Sequence, residues 1–128
     1  MKKEHIKHAL EAYLPELTAM ADQIYDLAEP GMEEFHSSKL LADYLQNHGF
    51  TVEMGIAGLP TAFRAVYEQG EGGPSFGFLA EYDALKDIGH ACGHHMQGSS
   101  VIGAALALKD ICKEQSYKIV VYGTPAEE

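Results

Sequence analysis

A chain of 128 residues can close one domain around a real core, and 46% apolar with 22% charged residues is the balance of an ordinary globular protein. Nineteen acidic against nine basic residues give a formal charge of -10. That argues against nucleic acid or an anionic membrane as a partner, since both require a basic surface. Two cysteines do not make a disulfide framework, and no apolar run approaches the ~20 residues of a membrane span. The charged start, Met1-Lys2-Lys3-Glu4-His5, leads into a charged amphipathic stretch rather than an apolar signal core. A cytoplasmic protein is the expectation.

Residues 4 to 28 carry Ile6, Leu10, Leu14, Leu17, Ala21, Ile24 and Leu27 at steps of three and four, which predicts an amphipathic helix. Pro15 interrupts it and predicts a kink, or a new helix with Pro15 in its first turn. Glu29-Pro30-Gly31 ends it. A second helix is expected from Phe35 to Asn47, with Leu40, Leu41, Tyr44 and Leu45 inward and Gly49 closing it. Thr51 to Met54 reads as a strand, Gly55 to Pro60 as a loop, Thr61 to Glu68 as the next strand and Gln69 to Pro74 as a turn. The run Ser75 to Ala80, SFGFLA, is nearly all apolar and predicts a central strand covered on both faces. Val101, Ala105, Leu108 and Cys112 mark a helical stripe, with Cys112 a small buried hydrophobe. Gly98, Ser99, Gly103 and Ala104 are small enough to let that helix lie close to a sheet. Tyr117 to Tyr122 is the last strand. Helices preceding and interleaved with strands predict an α/β sandwich.

The chemistry gathers in three places. SFGFLA runs into Glu81 and Asp83, KIVVY runs towards Glu127 and Glu128, and Gly89-His90-Ala91-Cys92-Gly93-His94-His95 concentrates imidazole and thiol. Sites in open α/β sheets collect beyond the carboxyl ends of strands. If the two strands are parallel neighbours, both acidic tips and the histidine loop meet at one edge. Sulfur, imidazole and carboxylate are the ligand types that zinc- or manganese-like ions select. Cys92 and His94, one residue apart, can point at one ion. Glu128 can add a carboxylate, and Glu127 can take a proton from water and deliver it to a leaving amine.

The run AEYDALKDIGHACGHHMQGSS resembles the amidohydrolase branch of the aminoacylase and carboxypeptidase-G metallopeptidase family. Within that branch it is most similar to the p-aminobenzoyl-glutamate hydrolase and N-acyl-amino-acid amidohydrolase types. The resemblance extends to YDLAEPGMEEFHSSKLLADYLQNHGF and to the closing GTPAEE. It implies a three-layer α/β sandwich around a mixed, largely parallel sheet, with residues 1–128 as the N-terminal portion of the catalytic domain. It further implies two divalent ions (Zn, Mn or Co), with Cys92 bridging them, His94 bound to one and Glu128 to the other. Glu127 becomes the general base, and Asp83 an acid that orients the site. Glu81 stands where many relatives have a ligand histidine, and His95 departs from the Asp or Asn usual after the C-G-H run. His90 reads as a supporting residue rather than a ligand.

The implied substrate is a small acylated amino acid or dipeptide. Family members continue well past the Glu-Glu pair, with a lid domain that often forms a homodimer and with further ligands. The isolated chain is therefore expected to be weakly active or inactive. Two other readings compete: a non-catalytic metal-binding α/β module, and a redox protein using Cys92 as a low-pKa thiolate. Against the last, no second cysteine stands at C-x-x-C spacing.

Overall fold

Pro15 makes the first break. Lacking an N–H, proline fits only where a helix leaves that donor unused. In the computed structural model, which describes residues 2–128, helix α1 (Lys3–Glu11) ends and α2 (Leu14–Leu27) begins with Pro15 in its first turn. Helix α3 (Phe35–Asn47) follows; Gly49, at φ 93°, turns the chain just beyond it. Then come β1 (Thr51–Met54), a short 3-10 turn (Ile56–Gly58), β2 (Phe63–Gln69) and β3 (Ser75–Ala80). Helix α4 (His94–Ile111) and β4 (Tyr117–Gly123) complete the described chain.

The class is mixed α/β, as expected. The sheet order is β1-β2-β4-β3, with β1–β2 and β2–β4 antiparallel and β3–β4 parallel. One face alternates Phe63, Ala65, Tyr117, Ile119, Val121 and Ala80 into a core shared with Ile24, Leu41, Leu45, Ile102 and Leu106. Each fully buried aliphatic side chain contributes about 1.5–3 kcal/mol by leaving water. The helices lie on this face. Among the described residues the opposite face carries none of the core cluster, and Leu79 and Tyr122 lie next to each other on it.

The described residues give SFGFLA only part of the cover expected for it. Its apolar content predicts cover on both faces, yet β3 is the edge strand of the described sheet, with Leu79 57% and Phe76 43% exposed. Composition reports what a strand tolerates, and strand order decides what it receives. The stripe on α4 also shifts by a residue or so. Ile102, Ala105 and Leu106 are fully buried, whereas Val101, Leu108 and Cys112 are half-buried, because α4 packs against α1 and α2 as well as the sheet.

The small residues of α4 serve two contacts. A Cβ on Gly98 would lie 2.5 Å from the carbonyl oxygen of Glu81 and 3.1 Å from Leu41 Cδ1. One on Gly103 would meet Leu17 and Leu10 at 3.0 and 3.2 Å. The first neighbour is backbone and cannot turn aside; the second pair are flexible side-chain ends. Gly98→Ala is therefore expected to destabilise by about 1–3 kcal/mol, and Gly103→Ala by clearly less. Denaturant unfolding of the two variants checks the order.

Candidate metal centre

Because β3 and β4 run parallel, they leave the sheet at the same edge. The Thr124 N–H donates to the Ala80 carbonyl at 2.9 Å, carrying the pairing one residue past β4. Beyond Ala80 the chain presents Glu81 and Asp83; beyond Thr124 it presents Glu127 and Glu128. Helix α4 begins at His94, between these tips, after Gly93 in left-handed conformation at φ 85°. The convergence expected from the sequence is the one observed.

Asp83 sits at the centre. Its side chain is buried, with Oδ1 2.9 Å from His94 Nδ1 and Oδ2 accepting the Glu128 N–H at 3.0 Å. The acid thus fixes an imidazole and a backbone segment together. The other ring nitrogen, His94 Nε2, lies 3.1 Å from Glu81 Oε2 and 3.4 Å from Glu127 Oε2. Ligand atoms of Glu81, His94 and Glu127 all fall within 4.8 Å of one another. Glu128 is placed 3.7 Å from His94 Nδ1, and its carboxylate acts on the exposed Cys92 thiol beside it. So the expected ligands divide: His94 stands among Glu81 and Glu127, while Cys92 and Glu128 pair beside it.

The protonation directions follow from this crowding. Burial alone would lower the His94 pKa, but the hydrogen bond and charge of Asp83, with the charge of Glu81, outweigh it and raise the value above 6.5. The Cys92 thiol is pushed up, chiefly by the Glu128 carboxylate and then by burial and the surrounding carboxylates. A low-pKa thiolate for redox work needs the opposite surroundings. Burial, then His95, lowers the pKa of His90, which stacks with Tyr25 at a 6.3 Å ring separation.

Two residues without an expected role matter here. Glu81, two before Asp83 at the same strand end, joins the cluster itself; the two-residue spacing in E-Y-D was the available signal. Gln97, on the first turns of α4, accepts the Glu81 N–H at 2.7 Å and donates to the Leu79 carbonyl at 2.9 Å. It fixes the strand end that carries Glu81.

The donor set fits a divalent cation. A carboxylate on Nδ1 selects the tautomer that leaves Nε2 as a lone-pair donor, the usual support of a ligating histidine. Mutually close carboxylates around that nitrogen lack any lysine or arginine partner among the described residues' ion pairs.

No protein-family model matches the chain. In sequence it is 36% identical to a component of the p-aminobenzoyl-glutamate hydrolase of Escherichia coli, over 96% of this chain and 29% of that protein. It is likewise 36% identical to the human Xaa-Arg dipeptidase, over 88% of this chain and 29% of the dipeptidase. In structure it superposes on a dinuclear metal binding peptidase from the M20 family of Bacillus subtilis with a TM-score of 0.76. That match has 24% identity and covers 91% of this chain and 36% of the other. The fold is shared with that structure. These relatives agree with the resemblance of its motifs to the aminoacylase and carboxypeptidase-G metallopeptidase family, and the chain spans 29% of the length of the first curated relatives it matches. No helix among the described residues is long and apolar enough to cross a membrane.

In the metal-free chain His94 is expected to titrate above 6.5, and Asp83→Asn to bring it down, as followed by NMR of the imidazole protons. A raised folded pKa favours the protonated ring. Its stabilisation is therefore full below the unfolded value near 6.5 and is lost as pH rises through the folded value. Divalent-ion binding should run the other way and weaken as pH falls through that value, since proton and cation compete for the ring.

Proposed function

We propose that the whole protein is a metal-dependent amidohydrolase or peptidase that cleaves an N-acyl or dipeptide amide bond beside a free carboxylate. The observation that carries the reading is His94, oriented by a buried carboxylate on one nitrogen and faced by Glu81 and Glu127 on the other. Two divalent ions (zinc, manganese or cobalt) are assigned to Cys92, His94 and Glu128, with further ligands from outside this chain. When bound, they supply the positive charge that acidifies water and stabilises a developing oxyanion.

The remaining steps belong to the protein. Glu127, with half its side chain open to solvent, is the group able to accept a proton from water and pass it to the leaving nitrogen. Asp83 holds the His94 ring and the Glu128 amide, so that ligand and base keep their spacing. Glu81 lends charge beside Nε2. The names of the curated relatives carry an aroyl-glutamate and a dipeptide as substrates, which share an amide bond to an amino acid. A small acylated amino acid or dipeptide is accordingly the proposed substrate class. A homodimer, built through segments beyond these residues, belongs to the same proposal, as does a cytoplasmic location. The 128-residue chain alone is expected to be weakly active or inactive.

Elemental mass spectrometry of the purified chain after chelator washing is the first test. About one zinc or manganese per chain, lost in both Cys92→Ser and His94→Ala, is the expected result. Metal retained equally by all three would place the ion elsewhere and sink the assignment. In the full-length protein Glu127→Gln should lower turnover by about 10²–10⁴-fold with metal content unchanged. Metal binding with no amide hydrolysis by the full-length protein would favour the non-catalytic module instead.

A further inference from the structure

We infer that Glu34 is the positioning residue for the Glu127–Glu128 segment, a role that rests on the metal-hydrolase reading of the site. Glu34 lies at the N-terminal end of α3, 92 residues from its partner in sequence, and is fully buried. Oε2 accepts the Ala126 N–H at 2.8 Å, and Oε1 accepts the Thr61 hydroxyl at 3.2 Å. Among the described residues no lysine or arginine pairs with it. A carboxylate withdrawn from water is costly unless its oxygens are satisfied, and an apolar side chain would commonly serve stability as well. What this carboxylate does that an apolar group could not is hold one particular amide.

That amide sits at the bend that matters. Ala126 adopts φ 54°, a left-handed conformation unfavourable for a residue with a Cβ. The bend sets the direction in which Glu127 and Glu128 leave β4. Next to Ala126 lies Gly31, where a Cβ would come within 2.9 Å of the Ala126 Cβ. The loop bearing Gly31 is itself fixed: Glu29 accepts the Ser37 and His36 N–H groups at 2.7 and 3.1 Å, and its carbonyl accepts the Ala84 N–H. Two buried carboxylates therefore take alternate amides of one segment, Glu34 that of Ala126 and Asp83 that of Glu128. Glu127 stands between them, its peptide held on both sides and its carboxylate facing His94 Nε2 at 3.4 Å. Without the Glu34 bond, Ala126 is free to relax to an extended conformation, and both carboxylates swing from His94 and Cys92.

The test is amide hydrogen exchange of the 128-residue chain by NMR, read at Ala126 and Glu128 against Val121 in β4, beside zinc affinity by chelator competition. Glu34→Ala is expected to speed exchange at Ala126 by roughly tenfold more than at Val121, and to weaken zinc by a similar factor. Glu34→Gln retains an acceptor oxygen and should stay within a few-fold of the parent. Leu45→Ala, a core deletion remote from the segment, should speed all three amides alike. Should Glu34→Ala not fold, Glu34→Asp decides, since the shorter side chain keeps the charge but withdraws its oxygens from the Ala126 N–H; preferential loosening at Ala126 is again expected. Uniform or absent change at Ala126 in these variants would overturn the role, even if zinc binds tightly. Preferential loosening in a chain that binds no zinc would instead remove the metal reading and leave Glu34 as the holder of the segment.

Discussion

The parallel pairing of β3 with β4 is the constraint from which the site follows. Had the two strands run antiparallel, Glu81–Asp83 and Glu127–Glu128 would lie at opposite ends of the sheet, a strand length apart. Running parallel, they leave at one edge, and α4 starts within the gap between them. Parallel neighbours need a crossover, and α4 is that crossover. Its small residues let it lie against the β3 end, so His94 arrives at the height of both acidic tips. The chemistry of the chain is thus a product of connectivity before it is one of side chains.

Gathering carboxylates has a cost that shapes the rest. Two like charges 4 Å apart repel by about 4 kcal/mol at the effective dielectric of a protein surface. Around His94 stand Glu81, Asp83, Glu127 and Glu128, in a chain already at -10. In the metal-free chain the repulsion is offset by backbone amides and by a histidine driven towards its charged form. Both are partial answers. A divalent cation in the same place would reverse the sign of the local field, releasing the Cys92 proton and leaving His94 neutral. Both shifts, thiol up and imidazole up, have the same cause in the surrounding carboxylates.

Much of this was legible in the sequence, and what was not has identifiable causes. The strands at 51–54 and 75–80 stand where alternation and apolar content put them, and Pro15 opened a new helix as its missing N–H requires. The convergence of the tips could be written down as a condition, because strand ends and acidic residues are both local features. Strand order is not local. Nothing inside SFGFLA says that β4 covers one edge of it and no other described strand its second edge. Glu34 was invisible for a different reason: it follows Glu33, which is exposed, and the pair are identical letters. Which of them turns inward depends on the phase of α3, set by Pro30, Gly31 and the cap that Glu29 provides. Neighbouring residues of one type are separated by helix phase, and phase is fixed by contacts across the chain.

At the end of β3, α4 supplies the partner for the backbone groups that β4 leaves unpaired. Ala80 directs its carbonyl to β4, so Leu79 and Glu81 direct their backbone groups the other way. A parallel strand would answer those two groups with one residue, its N–H donating to the Leu79 carbonyl and its C=O accepting from the Glu81 N–H. The Gln97 side chain is a primary amide and does both, at 2.9 and 2.7 Å. It makes the pairs that a single strand residue would make, supplied from α4 because Gly98 lets that helix approach to where a Cβ would touch the Glu81 carbonyl. The last residues of β3 are thereby paired on both edges although the strand is not. Rigidity is placed where Glu81 and Asp83 need it, at the end bearing the chemistry, while Ser75 and Gly77 further back remain exposed.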